Sequence, residues 1–240
     1  MDRVDLADRA RGLGGSTRLH GELAVPEGAG PWPGVVMIHE VFGLDEVMTR
    51  QAEHLARLGY LTLALDLYSD GGARRCLTTM FRAVASGTGR PFADVEAGRR
   101  WLAASPSCTG RVGVLGFCMG GAFALLCAPR GFDAAAVNYG QLPKDLDAAL
   151  AGACPIVASY GGRDRSLRGA AARLEAALER ADVAHDVAEY PSAGHSFLND
   201  AMAGPGWLRP VLRVAGVRPD PEASVDAWAR IDAFFGAHLR

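Results

Sequence analysis

The chain has 240 residues, of which 49% are hydrophobic and 22% charged, with a formal net charge of −2. That balance suits a globular protein and argues against a disordered chain, a general nucleic-acid binder or a polybasic membrane binder. The five cysteines are odd in number and lack paired or zinc-type spacing, which excludes a disulfide framework or a Cys/His metal site.

The first 15 residues are charged and lack an apolar signal-peptide core, and no apolar run approaches the ~18 residues of a membrane span. The expectation is a soluble cytoplasmic protein. Residues 1–18 read as a polar, loose lead-in, and residues 19–240 as one α/β domain. Leu19 to Pro26 alternates weakly and ends in a Pro/Gly-rich turn, as an antiparallel strand would. Its edge is covered either by a partner or by the lead-in. Gly34 to Ile38 is a short apolar run suited to a strand buried on both faces. Residues 46–58 put Met48, Ala52, Leu55 and Ala56 on one helical stripe closed by Gly59. Leu61–Leu65 reads as a strand ending at Asp66, residues 70–90 as irregular and 92–103 as helix. Val112–Leu115 is a strand followed by a helix from Met119 to Ala128. Ala134–Asn138, Ile156–Tyr160 and residues 184–189 complete the strands, with helices over 167–181 and Val225–Leu239. Strands alternating with helices predict a mostly parallel sheet with helices on both faces and no separate cap domain. Chemistry on such a sheet gathers at the carboxyl ends of the strands.

The sharpest motif is Gly116–Phe117–Cys118–Met119–Gly120–Gly121, between a strand and a helix. It has the context of a nucleophile elbow with cysteine as nucleophile. Side chains two before and two after the nucleophile would clash in such a turn, which accounts for Gly116 and Gly120. The helix N-terminus favours a thiolate, and the Met119 N–H is free for an oxyanion. His195 follows the last strand and serves as base. Asp164 follows the strand ending at Tyr160 and serves as the orienting acid, giving the order nucleophile, acid, base. Glu40 lies in His39–Glu40–Val41–Phe42–Gly43–Leu44, a loop suited to supply a second oxyanion amide from Val41. Phe42, Tyr68, Tyr139, Phe197 and Trp207 fall near strand ends or in the loop after His195 and are candidates to line the pocket. The other cysteines carry no motif and read as structural, and His39 should face away from Glu40.

HEVFGL, DLY, GFCMGG, YGGRD and AGHSF together resemble the dienelactone hydrolase family of the α/β-hydrolase superfamily, over roughly residues 19–239. The resemblance implies a compact α/β hydrolase using no metal or cofactor. Cys118 would be the nucleophile, His195 the base, Asp164 its acid, and Glu40 the carboxylate that pairs with and activates the thiol. Family members that cleave dienelactone use arginines to clamp its carboxylate. This chain has Ser69–Asp70 and Leu198–Asn199–Asp200 at those places, and two aspartates there would repel a carboxylate. Arg74, Arg75 or Arg82 would have to substitute.

The resulting expectation is a cysteine-dependent hydrolase of small carboxylic esters or lactones, acting as a monomer or small homo-oligomer with no nucleic-acid or membrane partner. Thioester hydrolysis or acyl transfer on the same triad is an alternative. A non-enzymatic ligand-binding or redox-sensing role for Cys118 is a reading of another class.

Overall fold

The computed structural model describes residues 1–240. The chain opens with β1 (Asp2–Asp5), α1 (Ala7–Gly12), β2 (His20–Ala24) and β3 (Trp32–Ile38), followed by α2 (Glu46–Arg57) and β4 (Leu61–Asp66). Two helices, α3 (Ala73–Ser86) and α4 (Arg90–Ala103), lead to β5 (Cys108–Phe117), α5 (Met119–Cys127), β6 (Ala134–Asn138) and α6 (Leu146–Leu150). Then come β7 (Ile156–Gly161), a 3₁₀ turn over Arg165–Leu167, α7 (Ala170–Arg180), β8 (His185–Tyr190), α8 (Arg209–Val214) and α9 (Pro221–Leu239).

The strands form one eight-stranded sheet in the order β1-β2-β4-β3-β5-β6-β7-β8. β1 and β2 are antiparallel to their neighbours, and every pair from β4 to β8 is parallel. The apolar runs occupy the central strands. Val35 to Ile38, Leu63 to Leu65 and Val114 to Phe117 are almost wholly inaccessible to solvent, as a sheet covered on both faces requires. On one face α2 lies beside α9, tied by the His54–Trp228 ring contact and by the Tyr60 hydroxyl bonded to Asp232. On the other face α5 packs over β3, β5 and β6 with α3 and α6 against it, and α4 joins α1 and α3.

The beginning of the chain departs from the loose lead-in expected of it. Residues 2–5 pair with β2 in full register, from Asp2 opposite Leu23 to Asp5 opposite His20. Leu6 and Ala10 are buried, and Asp94 of α4 takes hydrogen bonds from the Ser16 N–H and hydroxyl, both at 2.6 Å. The chain's own first residues therefore cover the edge of β2. The edge that results is four residues long and carries Asp2, Arg3 and Asp5, features that discourage pairing with a second chain. Residues 70–90, expected to be irregular, contain α3. That helix turns Cys76, Met80 and Ala83 inward, while glycines at both ends had obscured its periodicity. α6 and α8, of five and six residues, were too short to show a period.

Candidate active site

The parallel strands all end on one edge of the sheet, and the expected site residues collect there. Glu40 and Val41 follow β3, Cys118 follows β5, Tyr139 follows β6, Asp164 follows β7 and His195 follows β8.

The elbow is built by backbone approach. A Cβ on Gly116 would lie 2.0 Å from the Gly120 carbonyl oxygen, and one on Gly120 would lie 2.3 Å from that of Ile38. Only glycine fits at either place. Cys118 itself has φ 54° and ψ −115°, a conformation that costs a non-glycine residue about 1–3 kcal/mol. The Cys118 N–H is bonded to the Asn138 carbonyl at 3.0 Å, which helps hold the turn against β6. Met119 is the first residue of α5, so its N–H has no acceptor within the helix. Across the cavity, the Tyr68 hydroxyl donates to the Val41 carbonyl at 2.8 Å and also touches the Met119 sulfur at 4.0 Å. Tyr68 thus pins the Val41 peptide from behind.

His195 Nδ1 donates to Asp164 Oδ2 at 2.5 Å. Asp164 caps the 3₁₀ turn, and its other oxygen accepts from the Ser166 N–H at 2.9 Å and the Ser166 hydroxyl at 2.6 Å. With those bonds fixed, the carboxylate has one free direction, toward the imidazole. Burial opposes the charge on Asp164, yet the bond to His195 holds its carboxyl below the ordinary range. Burial likewise opposes protonation of His195. The Asp164 carboxylate and the interaction with the Cys118 sulfur overcome it and push the imidazole up to about 10. The loop carrying His195 is clamped from both sides. A Cβ on Gly161 would sit 2.4 Å from the Gly194 carbonyl oxygen, and one on Gly194 would sit 2.0 Å from that of Gly216. Beyond it, the Arg218 N–H donates to the His195 carbonyl at 3.1 Å.

Glu40 is almost wholly buried. One carboxylate oxygen accepts from the Ser196 hydroxyl at 2.9 Å and the other from the Asn199 amide at 3.2 Å. Both oxygens are therefore engaged with the His195 loop, where pairing with the thiol was expected. Burial raises the Glu40 carboxyl above its ordinary range despite the opposing influence of His195 and these two donors. His39 does face the other way: its Nδ1 meets the Glu40 carbonyl at 2.6 Å, and its Nε2 accepts from the Leu67 N–H at 3.2 Å. The remaining cysteines separate from Cys118 by environment. Cys127 and Cys154 lie away from the cavity, with burial pushing each thiol up to about 12.

A cavity of about 290 Å³ opens at Cys118 and His195. Its walls are Val41, Phe81, Val84, Met119, Ala122 and Leu167, with Tyr139, Gln141 and Ser166 as the other polar lining groups. Of the aromatic residues expected there, only Tyr139 lines it. Tyr68 sits behind Val41, and Phe197 is fully buried between Tyr139 and Tyr190. Phe42 faces the backbone at Gly204, and Trp207 is 80% exposed on the loop before α8. Phe81 and Val84 were missed because they stand on α3, the helix hidden in the stretch read as irregular. Gln141, Ser166 and Leu167 lie just beyond strand ends, where the strand-end rule could have found them.

Asp70 and Asp200 do not face this cavity, so neither repels a ligand in it. Asp70 pairs with Arg90 and accepts from Thr17, and Asp200 forms a two-point ion pair with Arg50. Arg74, Arg75 and Arg82 are exposed and line none of it.

Residues 19–239 match the dienelactone hydrolase family. A Methylorubrum extorquens protein is 30% identical over 230 residues, covering 88% of this chain and 74% of its own length. The carboxymethylenebutenolidase of Pseudomonas putida is 29% identical over 197 residues, covering 77% of this chain and 83% of its own. The crystal structure of a Klebsiella pneumoniae protein, 24% identical, superposes with a TM-score of 0.77 over 99% of this chain and 98% of that one, which shows the same fold. On the match across nearly its whole length, the chain belongs to the dienelactone hydrolase family.

Proposed function

We propose that this protein is a cysteine-dependent hydrolase of carboxylic esters and lactones. The observation that carries the reading is the meeting of Cys118 and the Asp164-bonded imidazole of His195 at one apolar cavity beside the N-terminus of α5. Family membership supports the reaction class.

His195 takes the thiol proton, and the Cys118 sulfur attacks the carbonyl carbon. The carbonyl oxygen gathers negative charge and is received by the Met119 and Val41 amides; one such donor is typically worth about 10²–10³ in turnover. The C–O bond then breaks, the departing oxygen takes the proton from His195, and a thioester to Cys118 remains. With a lactone, the departing oxygen stays attached to the acyl chain. Water next gives a proton to His195 and attacks the thioester, and the carboxylic acid leaves as the thiol is restored. Asp164 fixes the tautomer and stabilises the imidazolium that forms in both halves. Glu40, held at Ser196 and Asn199, is a buried carboxylate that interacts electrostatically with His195 and so favours the imidazolium formed when His195 takes the proton.

The test is hydrolysis of an activated aryl acetate by wild type and Cys118→Ala, with mass spectrometry of the quenched wild-type enzyme. Expected are an acetyl group on Cys118 and a loss of turnover of about 10³-fold or more in the variant. A variant as fast as wild type would refute the mechanism. Reversible oxidation of Cys118 without any turnover would instead favour the sensor reading.

A further inference from the structure

The cavity at Cys118 carries a chemical signature of its own. Six of its eleven lining residues, Val41, Phe81, Val84, Met119, Ala122 and Leu167, have apolar side chains. Apart from Cys118 and His195, the polar residues lining it are Tyr139, Gln141 and Ser166, none of which carries a formal charge. No arginine or lysine is among the lining residues, and the imidazole of His195 is already bonded to Asp164.

The arginines that the sequence places near these residues do not line the cavity. Arg90 is held by Asp70, and Arg50 by Asp200. Arg163, Arg165 and Arg168 flank Ser166 and Leu167 in sequence, but they line a different groove together with Val214, Ala215 and Gly216. Arg82 follows Phe81 on α3 yet is exposed outside the cavity. The buried carboxyl groups beside it, Asp164 and Glu40, offer no positive charge. An anionic group entering this space would lose hydration and find no arginine or lysine in exchange, which is the costly case for a buried charge. A neutral group meets matching apolar walls, and the Gln141 amide can donate a hydrogen bond to an ester or ring oxygen, whereas the Ser166 hydroxyl is already given to Asp164.

We propose that the substrate is an uncharged ester or lactone with an apolar acyl part, and that this enzyme discriminates against carboxylate-bearing lactones. The proposal rests on the hydrolase reading above and specifies its substrate class.

The experiment compares a matched pair of enol lactones, methylenebutenolide and carboxymethylenebutenolide, which differ by one carboxylate. A second pair, 4-nitrophenyl butyrate and the 4-nitrophenyl monoester of succinic acid, asks the same question of open-chain esters. The expected ratio of kcat/KM, neutral over charged, is about 100 in each pair, equivalent to ~2.7 kcal/mol in the transition state at 1.36 kcal/mol per decade. Phe81→Arg then places a cation at the mouth of the cavity. Phe81 is 51% exposed, so the longer side chain has room. The variant is expected to raise kcat/KM for the carboxylated lactone about tenfold. A ratio below ten in either pair, or an arginine that leaves the carboxylated lactone no better used, overturns the proposal. Acylation of Cys118 by 4-nitrophenyl acetate separates the two levels of argument. If that acylation occurs while the ratios fail, only the substrate class falls. If none of the compounds acylates Cys118, the hydrolase reading falls and takes the substrate class with it.

Discussion

Replacing Gly120 by alanine would put a methyl carbon 2.3 Å from the Ile38 carbonyl oxygen and 2.7 Å from that of His39. Real Cβ atoms stay beyond 3.0 Å, so the two backbones must part by about 0.7 Å or more. Neither neighbour is the end of a flexible side chain that can swing aside. One is the last residue of the central strand β3, and the other begins the loop that carries Glu40 and Val41. Overpacking a core commonly costs 1–3 kcal/mol, and backbone on both contacts puts this case at about 3 kcal/mol. For a chain of this size that corresponds to a fall in Tm of roughly 6–12 °C. The displacement also moves the Val41 amide relative to Met119. A misplacement on the order of 1 Å can cost about 10²-fold in rate, so kcat for an aryl ester should fall by a comparable factor in the protein that remains folded. Thermal unfolding by circular dichroism and steady-state hydrolysis read the two effects separately. A Gly120→Ala protein within ~2 °C of wild type and with full kcat would show that the elbow is not held by close backbone approach, and the geometric account of the site would fail.

Tyr68→Phe removes the hydroxyl that holds the Val41 carbonyl. As a positioning change it should lower kcat about tenfold while KM stays within about twofold, whereas a merely structural role would lower Tm and leave kcat intact. Arg50→Ala breaks a partly exposed pair with Asp200. Stability should change by less than ~1 kcal/mol and kcat/KM should not change, and a large kinetic effect would place Asp200 in the site after all. The protonated His195 is favoured in the folded protein, with a pKa of about 10 against ~6.5 when unfolded. Its contribution to stability is therefore complete below about pH 6.5 and is lost as pH rises through about 10. Urea midpoints between pH 6 and 10 should fall with rising pH and flatten in Asp164→Asn, and equal slopes in the two proteins would contradict the assignment.

The alternation of apolar runs and helical stripes sufficed for the parallel sheet, because strands buried on both faces must be continuously apolar and the helices covering them amphipathic. The elbow was legible for a similar reason. Gly116, Cys118 and Gly120 obey a local steric rule that holds wherever a strand turns sharply into a helix. Asp164 and His195 could be placed because both stand directly beyond strands that are easy to see. What lay outside the sequence depends on contacts between distant segments. Asp2 to Asp5 is a strand only because β2 offers an unpaired edge, since a short polar stretch has no period of its own. Asp70 and Asp200 read as charges beside the substrate until Arg90 and Arg50, far away in sequence, prove to hold them. Glu40 likewise takes its partners from Ser196 and Asn199, more than 150 residues on. The identity of the candidate catalytic groups is a local property of strand ends, legible one residue at a time. The charge and shape of the space around them are collective properties of five strand-end segments and α3, and only the folded chain decides them.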